Sequence, residues 1–392
     1  MRHRSRPFDI VHVSSAHPWT DNRVHLRSAA SAAAAGYRTA LVAVAVDGDD
    51  VAATGDTDWG RPDLATGVFV RRVPARRRRA RVVRSSAQVI TAALSSRATV
   101  VHLHDPELVW AVPLLRAVGR VVVYDAHEDL PDQVRGKEYL GRWARRAAVV
   151  LAHLVVLVAG RADAVVAATP TIAARFPTAR TTVVRNLPVL RPADLDAPPV
   201  TDRPLVAVYL GALSRDRGID VISGAASSPD FPDAWRVVTA GRIDSAVDRS
   251  RFDGLVAAGR IDHRGTLAPH AARDLLLGAR VGLLPLRPTP AYAASIPTKL
   301  FEYLAAGTAV VATDVPLWRE LLAGADCATW VPADDPDAVA RAVRRYAEHP
   351  DLLRAHAAAG RALVADRYRW DHEATALLAV YRSVWGVAPF DA

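Results

Sequence analysis

Short apolar, β-branched runs alternate with longer helical stretches along this chain, in two series. Phe8–Ser14, Thr39–Val46, Val100–Leu103, Val121–Tyr124, Ala164–Ala168 and Thr182–Val184 form the first. Leu205–Leu210, Trp235–Ala240, Val281–Leu284 and Ala309–Ala312 form the second. Each run is too short for a stable helix and largely apolar, the pattern of a strand buried on both faces. Strands alternating with helices in this way predict parallel sheets covered on both sides. Between the series, Leu187–Pro204 carries five prolines and no periodicity, and reads as a linker. The tail from Pro336 to Trp385 reads as mostly helical. The expected fold class is therefore α/β, with two doubly wound, Rossmann-like domains. Ligands of such sheets bind beyond the carboxyl ends of the strands, so a crevice between the domains is the expected site.

Composition narrows the function classes. A length of 392 residues with 51% hydrophobic content allows two real cores and excludes disorder. The single cysteine, Cys327, excludes a disulfide framework and a cysteine-based zinc site, and fits a reducing compartment. Met1–Pro7 is basic, but Phe8–Ser14 is too short and polar for the core of a signal peptide. The most lipid-like stretch, Ala147–Gly160, contains His153 and falls short of the ~20 residues needed to span a bilayer. A cytoplasmic protein is expected.

The formal charge is +9 and almost all of the cation is arginine; only Lys137 and Lys299 are lysines. Arg71, Arg72, Arg76–Arg79, Arg81 and Arg84 form the densest run. It reads either as a solvated strand-to-helix connection or as peripheral contact with anionic lipid on the inner face of the plasma membrane. No aromatic residues interleave these arginines, so a nucleic-acid partner is not expected. No GxGxxG follows the first strand and no GxxxxGK[ST] occurs, which disfavours dinucleotide and P-loop chemistry. Asp47-Gly-Asp49 nominally matches a DxD metal motif but reads as a solvated acidic turn, so no metal site is expected.

Chemistry concentrates at strand ends. Ser295–Asp314 opens with a proline-marked helix start, carries Lys299 and Glu302 three residues apart, stops at a glycine and runs into a strand. Residues at i and i+3 share a helix face, so cation, carboxylate and helix N-terminus suit a nucleotide diphosphate and its ribose. In Leu210–Asp220, Gly211 permits close backbone approach, and Arg215 and Arg217 stand in the loop entering the next helix. Gly241-Arg242 and Arg264-Gly265-Thr266 repeat the glycine-turn theme. In the first series His104 and Asp105, then Asp125, His127 and Glu128, follow neighbouring strands, while Asp21 and Arg23 open the helix after the first. A parallel sheet brings all three sets to one edge.

Several segments carry a resemblance: DNRVHLRSAASAAAAGYRTALVA, HLHDPELVWAVPLL, VYDAHEDLP, VVRNLPVL, YLGALSRDRGID, SIPTKLFEYLAAGTAVVATD and the closing helices from WVPADDPDAV to YRSVW. Together they resemble the nucleotide-sugar-dependent glycosyltransferases of GT-B architecture, family 4. The resemblance implies two Rossmann-like domains facing a central cleft. An acceptor-binding domain would span 1–190 and a linker 191–204. A nucleotide-sugar-binding domain would span 205–370, with a helix over 371–392 crossing back. It implies retaining, metal-independent transfer without cofactor, in polysaccharide or glycoconjugate biosynthesis, from a nucleotide-diphosphate sugar to a glycan, lipid-linked or small-molecule acceptor.

By position, Lys299 resembles the cation on the donor phosphates, Glu302 the carboxylate on the ribose and Arg217 a phosphate-binding lysine. His127 resembles the histidine near the transferred sugar, and Gly265 and Thr266 border the nucleobase. Gly211, Arg215, Arg242, Ser295 and Thr298 fall on the donor side; Asp21, Arg23, His104, Asp105 and Glu128 fall on the acceptor side. Two positions depart from the family. Ala294 stands where a sugar-contacting glutamate is usual, and Ala212 where many relatives carry a phosphate-binding arginine. The first departure leaves open a catalytically silent binding partner, and the shared donor site leaves open a nucleotide-sugar epimerase.

Overall fold

The computed structural model describes residues 8–46, 59–77, 80–135, 141–191, 194, 196–245, 247 and 249–386. The chain divides into two compact units, Met1–Asn186 with Trp370–Ala392, and Leu187–Arg369.

The first unit is built on a wholly parallel seven-stranded sheet. Its strands are β1 (Ile10–Pro18), β2 (Thr39–Val44), β3 (Phe69–Val73), β4 (Val100–Leu103), β5 (Val121–Ala126), β6 (Ala164–Ala167) and β7 (Thr181–Val183). They lie in the order β3-β2-β1-β4-β5-β6-β7. The order reverses direction between β1 and β4, the switch point at which such sheets take ligands. Here β4 ends at Leu103 opposite Val13, whereas β1 continues past an irregularity to Pro18, four residues beyond its expected end at Ser14. The extension carries Ser14, Ser15 and His17 past the sheet.

Strand β3 escaped the apolar pattern because it bears Arg71 and Arg72. The arginine run therefore does not begin as a strand-to-helix connection: its first two members are edge-strand residues. Arg71 is buried, 5.9 Å from the Trp59 ring centre, and Arg72 lies 4.5 Å over Trp19. The cation heads sit on aromatic faces while the stems cover apolar surface, so charge and burial coexist. After β1, Val24–Ala29 winds as a π-helix and Ala30–Ala34 as α-helix, ending at Gly36 with φ +89°. Helix Trp370–Trp385 also belongs to this unit: the Glu373 carboxylate accepts the Arg185 backbone N–H at 2.6 Å, and Trp370 donates to Ser31 at 2.8 Å.

The second unit has a six-stranded parallel sheet, β8 (Val206–Leu210), β9 (Arg236–Ala240), β10 (Ile261–His263), β11 (Val281–Leu284), β12 (Ala309–Thr313) and β13 (Ala328–Val331). The order is β10-β9-β8-β11-β12-β13, with its switch point between β8 and β11. The proline-rich segment packs onto this unit. Leu187 and Asp194 are buried, and Arg203 donates to the carbonyls of Pro198, Ala279 and Ala306, each at 3.0 Å. Those carbonyls end helices and turns, and a buried guanidinium satisfies three of them at once.

Candidate active site

In the second unit, helix Thr298–Ala305 is seated on the sheet by Tyr303. Its hydroxyl accepts the Leu210 backbone N–H at 3.0 Å, and its ring fills the place a Cβ on Gly282 would occupy, 2.4 Å from Cδ2. Lys299 stands one turn earlier on the same helix face. It therefore lies across the end of β8, where a Cβ on Gly211 would be 2.4 Å from its Cε. Among the described residues Lys299 has no hydrogen-bond or ion-pair partner. Burial, with Arg217 nearby, holds its pKa below the ordinary lysine value against the opposing pull of Glu302. A half-buried ammonium beside a helix N-terminus is arranged for an anion.

Backbone turns continue the sheet past its strands. Gly211 N–H donates to Ala240 at 2.8 Å and Gly241 N–H to Gly265 at 2.7 Å, with φ +129°, +141° and +62° at the three glycines. A Cβ on Gly241 would stand 2.0 Å from the Gly211 carbonyl oxygen, so this close stack admits no side chain there. Arg217 donates to the Tyr292 hydroxyl at 3.1 Å, and Ser295 Oγ to the Tyr292 carbonyl at 3.1 Å. Trp318 Nε1 donates to the Ser295 carbonyl at 3.1 Å. Thr298 begins the helix after Pro297. Arg242 and Thr266 are exposed at their turns. Arg215 is exposed as well and lies 3.6 Å from Asp220, drawn to that carboxylate. Ala294 is exposed at the end of the short helix Pro290–Ala293.

In the first unit the switch point carries a polar network. Asp21 Oδ1 accepts the backbone N–H groups of Arg23 and Val24 at 2.8 and 2.9 Å, capping the π-helix. Arg23 then forks onto Asp125 at 2.7 and 3.0 Å and reaches the Val184 carbonyl at 3.0 Å. Asp105 accepts from Ser14 Oγ at 2.8 Å and from the Ser15 backbone at 2.6 Å. His104 Nδ1 and His127 Nε2 lie 3.4 and 3.3 Å from Asp125 Oδ2. Burial would raise the Asp125 pKa, but Arg23 and His127 hold it well below the carboxylate range. Burial also keeps His12, His102 and His104 neutral, with pKa values lowered.

Asp21, Arg23, His104, Asp105 and His127 are thus brought together, while Glu128 is exposed and accepts from Gln133. His17 was missed from sequence. It lies 3.3 Å from Asp21 and 3.5 Å from Asp105, whose carboxylates outweigh its burial and push its pKa up to about 9. The i, i+4 spacing of His17 and Asp21 was the available signal.

His104, Asp125 and His127 hold three ligand-type atoms close together, as do His12, His102 and His104. At the first group Arg23 already supplies the counter-charge to both Asp125 oxygens. At the second, His12 and His104 are bonded to each other at 2.9 Å and His102 to Tyr381 at 2.7 Å. Both groups are thus also joined by hydrogen bonds. Asp47-Gly-Asp49 lies outside the described residues. Of the arginine run, Arg78 and Arg79 lie outside them too, Arg76 donates to Gln88 at 2.7 Å, Arg81 pairs with Glu107 at 2.7 Å, and Arg84 is exposed.

Residues 21–187 match the glycosyl transferase 4-like domain, and residues 222–379 the glycosyl transferase-like family. The chain belongs to the GT-B glycosyltransferases. The phosphatidyl-myo-inositol mannosyltransferase of Mycobacterium leprae is 30% identical to this chain over 156 residues, 39% of either chain. The match thus spans about two fifths of that relative's length. Sucrose-phosphate synthase from Thermosynechococcus elongatus shares the fold with TM-score 0.71 and 18% identity, over 97% of this chain and 99% of that one. Anabaena HepE in complex with UDP-glucose superposes with TM-score 0.65 and 15% identity, over 96% of this chain and 100% of that one. Two parallel-sheet α/β units are what the strand pattern predicts, and they match the GT-B architecture that the resemblance implies.

Proposed function

We propose that this chain transfers a hexosyl group from a nucleotide-diphosphate sugar to a glycan, lipid-linked or small-molecule acceptor. The observation that carries the reading is Lys299, a half-buried ammonium without an ionic partner among the described residues, laid over Gly211 at the switch point of the second sheet. A donor diphosphate supplies the missing anion. Arg217 adds a second cation, and Glu302 receives the ribose hydroxyls. HepE, with the same fold, holds UDP-glucose, and the matched relatives named above include a mannosyltransferase, which supports a sugar donor.

In the proposed step the bond from the anomeric carbon to the β-phosphate oxygen breaks as the acceptor oxygen bonds to that carbon. The acceptor proton leaves with the departing phosphate. Lys299 and Arg217 stabilise the charge that develops there, a role that requires no metal on the diphosphate. Transfer with retention follows if the acceptor enters on the face the phosphate leaves, and no protein nucleophile is assigned. In the first unit, His127 has Nε2 turned to Asp125, and we assign its other nitrogen to the transferred sugar.

A calorimetric screen across UDP-, GDP-, ADP- and dTDP-sugars tests the reading. One donor should bind, and Lys299→Gln should weaken it about a hundredfold, or about 2.7 kcal/mol. Equal affinity of Lys299→Gln and wild type for the bound donor sinks the assignment. Release of nucleotide diphosphate with acceptor separates transfer from silent binding.

A further inference from the structure

Helix Arg142–Ala159 turns Ala152 and Ala159 into the first unit, with Val155 and Val156 against its core. Its other side carries Trp143 (66% exposed), Val150 (60%), Leu151 (62%), Leu154 (51%) and Leu157 (56%). Spacings of three and four place these side chains on one stripe, opposite the buried alanines. Five large apolar side chains aligned on an exposed face mark a contact surface rather than scattered surface hydrophobics.

The charges beside the stripe select the partner. Residues 141–162 contain no Asp or Glu, and Arg142, Arg145, Arg146 and Arg161 lie among them. The Arg142 and Arg146 guanidinium carbons sit 5.1 and 5.2 Å from the Trp143 ring centre, so two cations and an indole gather at the start of the helix. A second copy of the same face would bring like charges together. An anionic surface with an apolar interior matches both halves of the pattern. Among the described residues no helix is long and apolar enough to cross a membrane.

We infer that helix Arg142–Ala159 seats the protein on an anionic bilayer, lying in the interface with its leucine stripe among acyl chains and Arg142 and Arg146 at the headgroups. The arginine run of the edge strand is less suited to this role: Arg71 is buried, and Arg76 and Arg81 are engaged by Gln88 and Glu107. The inference goes beyond the proposed transfer, which needs no membrane.

Co-sedimentation of the full chain with phosphatidylglycerol–phosphatidylcholine vesicles tests it, against pure phosphatidylcholine vesicles. Wild type should prefer the anionic vesicles about tenfold and lose that preference in high salt. Leu151→Glu/Leu154→Glu should lower partitioning by about tenfold or more at unchanged thermal stability. Arg142→Gln/Arg146→Gln should remove mainly the salt-sensitive part. Undiminished vesicle binding by the leucine variant overturns the inference. So does a concentration-dependent dimer that this variant dissolves while wild type ignores vesicles, since the face then pairs copies. Donor affinity of the leucine variant should equal wild type, which separates this test from that of the donor site.

Discussion

Lys299 crosses Gly211 so closely that a Cβ at residue 211 would stand 2.4 Å from the lysine Cε and 2.8 Å from its Nζ. The glycine is also at φ +129°, a conformation that side-chain-bearing residues rarely adopt. Gly211→Ala should therefore displace Lys299 and strain the turn. We expect nucleotide-diphosphate affinity to fall about tenfold to a hundredfold, with the sheet intact by circular dichroism. Titration calorimetry showing wild-type affinity would mean that the lysine does not act from this position.

Glu302 shares a face with Lys299, and its proposed partner is the ribose. Glu302→Ala should weaken the nucleotide diphosphate about tenfold. It should also remove the preference of wild type for the ribose form over the 2′,3′-dideoxy form. Near-unchanged affinity, or discrimination that survives the substitution, would dismiss the ribose assignment.

The sequence made the sheets legible because buried parallel strands write themselves as continuous Val, Ala and Leu runs. It hid β3, whose arginines bury their stems and rest their heads on Trp19 and Trp59. It also hid β10, which reads Ile-Asp-His, and β13, which reads Ala-Thr-Trp-Val, because polar residues interrupt both. Lys299 was legible from its place in a helix start, but Tyr303, which sets the helix on the sheet, read as another apolar residue. Asp21, Arg23, His104, Asp105 and His127 were legible as polar residues at strand ends. The outward turn of Glu128 and the pull of Asp220 on Arg215 were not, since composition does not say which neighbour a flexible side chain meets. His17 was passed over because its spacing to Asp21 is a weak signal by itself, and the Asp105 carboxylate that completes its setting comes from the turn after β4.

Arg23 and Asp125 form a buried, forked ion pair, with side chains only 6% and 1% exposed. Removing one partner strands a buried charge, so Arg23→Met should destabilise the first unit by about 3–5 kcal/mol. The double variant Arg23→Met/Asp125→Leu should recover part of that loss. Thermal unfolding of the three variants and wild type measures the coupling; a double variant that is simply the sum of the singles would rule it out.

The pH dependence of stability should carry the signature of His17, whose folded pKa is pushed up to about 9 from an ordinary value of 6.5. Its ion pairs with Asp21 and Asp105 contribute fully below pH 6.5, where folded and unfolded imidazoles are both protonated. The contribution fades as pH rises through about 9. His17 is 32% exposed in its side chain, so screening reduces the gain to about 1–2 kcal/mol. His12, His102 and His104 act oppositely: their lowered pKa values make acid the destabilising direction, since the unfolded chain takes up protons first. Asp21 and Asp125, also lowered, lose their contribution at still lower pH. Melting curves of wild type and His17→Gln should therefore differ most near pH 6.5 and converge by pH 10. A gap between the two that stays constant across that range would show that His17 is not held as a cation by Asp21 and Asp105.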